Sequence, residues 1–184
     1  TSDRFPIDPE HLGALFEALD AGVGDLAFCW EMTSSYAWDV DFGDIAREHD
    51  DLGGSRPGDR PSGDDAVTKV MVSHPEVVRE ELMEMLVPHL PAPLTIGCSG
   101  VEFVEITGVG VNKARALAHF GTRFGFEAED VIAFGDNQND VPMLEWAGHS
   151  VAVGNAVASA KQVANEIIGD HHDHSVASYI ESLL

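Results

Sequence analysis

Two carboxylates and three carboxamides fall within the five residues that follow Gly135 in Gly135-Asp136-Asn137-Gln138-Asn139-Asp140. An oxygen-rich cluster of this kind suits a hard dication such as magnesium. The turn follows Val131-Ile132-Ala133-Phe134, a short continuous apolar run that reads as a buried parallel strand. Ligands of open α/β sheets bind outside the carboxyl ends of the strands, so this placement fits a site. An Asp/Asn-rich turn that caps the next helix would use the same residue types. The residues alone leave both readings open. A calcium loop is excluded: position 141 is Val where that loop needs Gly, and position 147 is Ala where it needs Glu.

Three further groups could carry chemistry. Lys113 is one of three lysines and opens a helix just after Gly108-Val109-Gly110-Val111-Asn112. A cation is unfavourable at a helix N-terminus, where a phosphate is favoured; a lysine there could hold a phosphate, or be an ordinary surface lysine. The glycines form neither a dinucleotide fingerprint, since position 113 is Lys, nor a P-loop. His171-His172-Asp173-His174 could bind a transition metal or be an exposed loop with Asp173 as a cap. Asp39-x-Asp41 pairs two carboxylates but follows no buried strand, and reads as hairpin or cap surface.

The elements that must position these groups fall into two sets. In the first, Asp8-Pro9-Glu10 starts a helix, with Leu12, Leu15, Phe16 and Leu19 on its apolar face. Strands are expected at 26–30, 36–40, 67–72, 94–98 and 101–106, the last two joined at Ser99-Gly100. A loop rich in Gly, Pro and Asp covers about 50–65, and a second helix opens at Ser73-His74-Pro75-Glu76 with Val77, Val78, Leu82, Met85 and Leu86 at helical spacing. These 107 residues read as an α+β layer. In the second set, a helix over 112–124 with Ala116, Leu117, Phe120 and Phe124 inward precedes the strand at 131–134. Then come a helix over 140–147, a strand at 150–153, a helix over 156–168 and a last helix from 176. That alternation is the pattern of a doubly wound α/β sheet.

Acidic residues outnumber basic ones 32 to 10, for a net charge of −22. Such a surface repels nucleic acids and anionic membranes, so neither is an expected partner. An anionic substrate would need a metal or a lysine to overcome the field. A hydrophobic share of 44% supports a real core. Cys29 and Cys98 sit in apolar stretches without a Cys-x-x-Cys pair and read as free thiols of a cytoplasmic protein. No signal peptide or membrane-spanning run is visible. The chain opens on Thr-Ser-Asp, which suggests a fragment.

Three stretches together resemble the haloacid dehalogenase superfamily, most closely its Cof-type phosphatases. They are Val104 to Leu117 around Lys113, Val131 to Leu144 around Asp136 and Asp140, and Val151 to Ala156. The resemblance covers about the last 80 residues well and the first 107 more loosely. It implies an α/β fold: residues 108–184 would be the C-terminal part of a doubly wound, Rossmann-like core. Residues 1–107 would be a smaller α+β cap that selects substrate, incomplete at its start. It implies a magnesium-dependent phosphatase that hydrolyses phosphomonoesters of small metabolites, sugar phosphates or nucleotides, through an aspartyl-phosphate. Lys113 would steady phosphate and nucleophile, Asp136 and Asp140 would hold the Mg2+, and Asn139 would face the phosphate. The family's Asp-x-Asp-Gly strand and its Ser/Thr phosphate motif are not in this sequence, so the chain alone is expected to be inactive. The alternative is a non-catalytic scaffold that binds a partner or regulates. The family's Asp-Gly-Val is replaced here by Asp-His-His-Asp-His-Ser-Val. A core lacking elements would expose a sheet edge, through which self-association is expected.

Overall fold

The computed structural model describes residues 4–32, 35–39, 42, 56–57 (backbone alone), 60–61, 65–98 and 102–184. Asp41, most of the 50–65 loop and the Ser99-Gly100 turn lie outside the described residues. The chain divides into two compact units, Thr1–Val111 and Asn112–Leu184.

In the first unit, Asp8 caps α1 (Pro9–Gly22) by accepting from the Glu10 N–H at 2.9 Å. Among the described residues six strands follow: β1 (Ala27–Met32), β2 (Tyr36–Trp38), β3 (Arg56–Pro57), β4 (Val67–Ser73), β5 (Thr95–Gly97) and β6 (Val104–Thr107). They form one sheet in the order β3-β2-β1-β4-β6-β5, antiparallel except for the β2–β3 pair. Side chains alternate between its faces. Phe28, Trp30, Val70, Val72, Val104 and Ile106 pack with Leu12, Leu15 and Leu19 of α1 and Leu82 and Leu86 of α2 (Arg79–Leu86). Cys29, Met71, Phe42 and Phe103 cluster separately, with Tyr36 and Trp38 against them.

Helix α2 starts six residues after Ser73, where the sequence suggests that it opens. Ser73 stays in β4, paired with Ala27, and Pro75 disfavours helical backbone in the residue before it. Val78 is the N-cap residue and is 67% exposed, not part of the buried face.

In the second unit, α3 (Lys113–Phe124) leads to three parallel strands: β7 (Ile132–Gly135), β8 (His149–Ala152) and β9 (Glu166–Ile167), in that order. Helices α4 (Val141–Trp146) and α5 (Ala158–Val163) connect successive strands, and α6 (Ser175–Ser182) follows β9. The core is built from small residues, with Ala133, Leu144, Ala152, Val153, Ala156 and Ala160 buried. Tyr179 anchors α6: its ring meets Phe134 edge-on, and its hydroxyl donates to Glu166 at 3.0 Å.

Two expectations for this unit are corrected. Residues 156–168 are not one helix. Asn165 is latched to β8, its side chain accepting from the Ser150 N–H and hydroxyl at 2.8 and 3.0 Å. Its own N–H reaches the Ser150 carbonyl at 2.9 Å. These bonds draw the chain out of the helix after Val163 and into β9. Phe120 and Phe124 do not face inward; they are 50% and 65% exposed and stack on each other, centroids 5.7 Å apart. Gly125 ends α3 in the left-handed region at φ 79°, where a side chain would be strained.

Candidate active site

The Asp136–Asp140 turn is folded by its own side chains. β7 ends at Gly135, and Gln138–Asp140 then make one 3-10 turn that runs into α4. Asn137 caps that turn. Its side chain accepts from the Gln138 N–H at 2.7 Å, and Asp140 reciprocates by accepting from the Asn137 N–H at 3.1 Å. The same Asp140 oxygen accepts from the Asp136 N–H at 2.9 Å. Its other oxygen pairs with the Lys113 ammonium, brought in by the first residue of α3. Asn112 caps that helix by accepting from the Arg115 N–H at 2.9 Å.

Asp140 is therefore a buried carboxylate, 3% exposed, with a donor on each oxygen. Burial pushes its carboxyl up, but the Lys113 ammonium and the two backbone N–H groups outweigh that and hold it below the usual carboxylate range. Gly135 is required beside it: a Cβ there would stand 2.7 Å from the Asp140 Cβ. The turn is also tied to the start of α5. The Val157 N–H donates to the Asp136 carbonyl at 2.8 Å, and the Ser159 hydroxyl donates to Gln138 at 2.5 Å.

Of the four residues singled out in sequence, Lys113 and Asp140 are brought into contact, and Asp136 and Asn139 flank them on the same turn. Asp136 is exposed at the carboxyl end of β7, and Asn139 is half-buried. Asp140 organises the turn as a cap, and the Asp136 side chain beside it is exposed. The donor set suits magnesium, since Asp136 and Asn139 offer oxygens without a soft ligand. Sequence reasoning missed the supporting residues Gly135, Val157 and Ser159. A glycine just ahead of the acidic run was the available signal for the first of them.

Two further features carry none of this chemistry. Asp39 is structural, accepting from the Phe28 N–H at 3.0 Å and the Phe42 N–H at 3.1 Å at the end of the β1–β2 pair. A depression of about 490 Å3 beside the end of α3, lined by Gly121, Phe126, Glu127 and Trp146 among others, contains none of the predicted site residues.

The family model described as haloacid dehalogenase-like hydrolase matches residues 57–180. The chain is 36% identical over 121 residues to the pyridoxal phosphate phosphatase YbhA of Escherichia coli (strain K12), covering 65% of this chain and 43% of that protein. It is 40% identical over 78 residues to the 5-amino-6-(5-phospho-D-ribitylamino)uracil phosphatase YitU of Bacillus subtilis (strain 168), covering 42% of this chain and 29% of that one. The chain thus spans less than half the length of these curated relatives. Among solved structures, SMU.1108c from Streptococcus mutans UA159 matches with a TM-score of 0.82 and 19% identity, over 97% of this chain and 68% of that chain. The subclass IIB sugar phosphatase BT4131 matches with a TM-score of 0.78 and 18% identity, over 97% and 68%. The fold likeness runs nearly end to end, and the family model spans both the Lys113 helix and the Asp136–Asp140 turn. The chain belongs to the haloacid dehalogenase-like hydrolases.

Proposed function

We propose that this chain is part of a magnesium-dependent phosphatase of subclass IIB, acting on phosphomonoesters of small metabolites in the cytoplasm. The observation that carries the reading is the Lys113–Asp140 pair set beside an exposed Asp136 at the carboxyl end of β7. Asp136 is the principal magnesium ligand, with Asn139 beside the phosphate. Asp140, whose oxygens are already bonded, serves by holding Lys113 and by meeting the metal at most through water. Lys113 then presents its ammonium to a phosphate oxygen from the start of α3. When bound, magnesium supplies positive charge that offsets the phosphoryl oxygens.

Residues 1–107 form the cap that selects the substrate, and residues 108–184 contribute to the core. Phosphorylated cofactors and intermediates, sugar phosphates and nucleotides are the substrate class, in keeping with the names of the relatives above. The 184 residues contain no Asp-x-Asp-Gly nucleophile strand, so the chain alone is inactive. The partner other than substrate is a second copy: among the described residues β7 pairs only with β8, leaving an edge able to self-associate.

The test is to express the complete reading frame beside the 184-residue chain and assay release of inorganic phosphate from a panel of phosphomonoesters. Turnover by the complete protein that needs Mg2+ and disappears in Asp136→Asn supports the reading. Equal turnover in Asp136→Asn, or no turnover of any phosphomonoester, rejects it in favour of a non-catalytic scaffold. Turnover by the 184-residue chain alone would reject its inactivity.

A further inference from the structure

The loop after β9 carries a second group of ligands that the phosphatase reading does not use. We propose that Asp170, His171 and His172 form a binding site for a borderline transition-metal dication, of which Zn2+ is the type. Each of the three offers one ligand atom, and these atoms all lie within 4.8 Å of one another. Neighbouring side chains of an extended segment would point apart. Here the 3-10 turn His171–Asp173 brings the two imidazoles side by side, with ring centroids 3.8 Å apart.

The backbone that carries them is held in place. Asp170 caps the turn by accepting from the His172 N–H at 2.9 Å. The Asn155 side chain accepts from the His171 N–H at 3.2 Å. The Gly154 N–H donates to the Gly169 carbonyl at 2.9 Å, and the Ser175 hydroxyl donates to that same carbonyl at 2.8 Å. A metal would therefore meet ligands whose main chain is already ordered. What remains is rotation of exposed side chains, since donors around tetrahedral zinc stand about 3.3 Å apart for bonds of about 2.0 Å. The Asn155 amide nitrogen lies 2.5 Å from His171 Nδ1. A metal at Nδ1 displaces that amide; a metal at Nε2 puts the ring proton on Nδ1, where it would oppose the amide N–H, so the amide turns away in either case.

The donor types separate this site from the Asp136 turn. Two imidazoles and one carboxylate favour zinc, nickel or copper, whereas magnesium prefers oxygen. Three protein ligands leave at least one position for water or another ligand. The strongly acidic chain raises the local concentration of dications around both sites. The loops after β7 and β9 leave the carboxyl ends of strands in one parallel sheet, so the second site lies along the same edge as Asp136.

The test is a Zn2+ titration of the chelator-treated 184-residue protein by calorimetry, repeated in excess Mg2+, with Cu2+ electron paramagnetic resonance as a second readout. The expected result is one equivalent bound, undisturbed by Mg2+, with nitrogen hyperfine coupling from two imidazoles. His171→Ala and His172→Ala should each weaken binding at least about tenfold, the lower end for losing even an outer partner of a metal ligand. His174→Ala, outside the three-residue group, should bind as the wild type does. Unchanged affinity in the His171→Ala/His172→Ala double variant, loss of binding in His174→Ala, or displacement by Mg2+ would each overturn the assignment. Histidine ring resonances in NMR give a reading independent of variant folding. Zn2+ should shift those of His171 and His172, and a shift confined to other histidines would equally refute the site.

Discussion

Replacing Asp140 with asparagine keeps the shape of the side chain and removes its charge, which isolates what the carboxylate contributes. In the folded chain its oxygens receive the Lys113 ammonium and the N–H groups of Asp136 and Asn137. A hydrogen bond to a charged acceptor is worth about 1 kcal/mol more than a neutral one, so the two backbone bonds together lose about 2 kcal/mol. The Lys113 side chain is 52% exposed, so the ion pair adds no more than about 1 kcal/mol. Asp140→Asn should therefore destabilise the second unit by about 2–3 kcal/mol at pH 7. Asp140→Ala should cost more, because it strands both N–H groups at about 1–3 kcal/mol each. Hydrogen exchange of the Asp136 and Asn137 amides, measured with a chelator present, reads the effect locally. At about 1.4 kcal/mol per decade, Asp140→Asn should speed exchange roughly 30- to 150-fold. The pH dependence has a definite sign. The folded state binds this proton more weakly than the unfolded state, so the contribution is complete above about pH 4, the ordinary aspartate value, and is lost as pH falls through the lower folded value. The gap between wild type and Asp140→Asn should narrow in that acid range. A gap that stays constant from pH 7 to pH 3, or an alanine variant no worse than asparagine, would refute the reasoning.

Gly135→Ala should disturb the same turn sterically, since its Cβ would press on Asp140; amide exchange at 136 and 137 should speed up with no change in charge or in the ordinary pH profile. Lys69 bridges Glu105 at 2.8 Å and lies 3.8 Å from Glu31 on the β1–β4–β6 face. Lys69→Met leaves two carboxylates facing each other and should lower the urea midpoint, with a loss of about 1–3 kcal/mol. Burial, aided by Asp39 and Glu31, pushes the Cys29 thiol up to about 12, so native protein at pH 8 should be alkylated at Cys98 and not at Cys29, as read by peptide mass spectrometry. If the β7 edge drives self-association, Ile132→Lys, at a residue 42% exposed, should shift sedimentation towards monomer; an unchanged profile would remove that edge as the contact.

What sequence could and could not show divides along the range of the interactions involved. Helix α1 was legible because its cap, its proline and its four buried leucine and phenylalanine positions are local. The Asp136–Asp140 turn was legible as chemistry because carboxylates and amides crowd one strand end. The pairing of Asp140 with Lys113, 27 residues away, was not, because only the α3–β7 geometry brings them together. Periodicity failed where a long-range bond competed with it. Asn165 answers to Ser150 of β8 and not to its own helix, and β4 takes Ser73 from the expected start of α2. It failed again at Phe120 and Phe124, whose spacing is that of a buried face yet which stand exposed on α3.

These failures bear on function. Solved relatives with this fold extend well beyond the part matched here, 68% of the chain in two cases. The exposed Phe120 and Phe124 of α3 and the side of β7 that, among the described residues, carries no second strand belong to the same unit as Lys113 and Asp136. The proposed binding of Mg2+ by Asp136 and the proposed catalysis separate as experiments. The turn, its lysine and its carboxylates are complete within Asn112–Leu184 and should bind the metal weakly without turnover, whereas turnover should require residues beyond these 184. Calorimetry showing Asp136-dependent Mg2+ binding by the 184-residue chain, with no phosphate release in the same preparation, would establish that order. Mg2+ binding unaffected by Asp136→Asn would move the metal site elsewhere and leave the turn a structural cap.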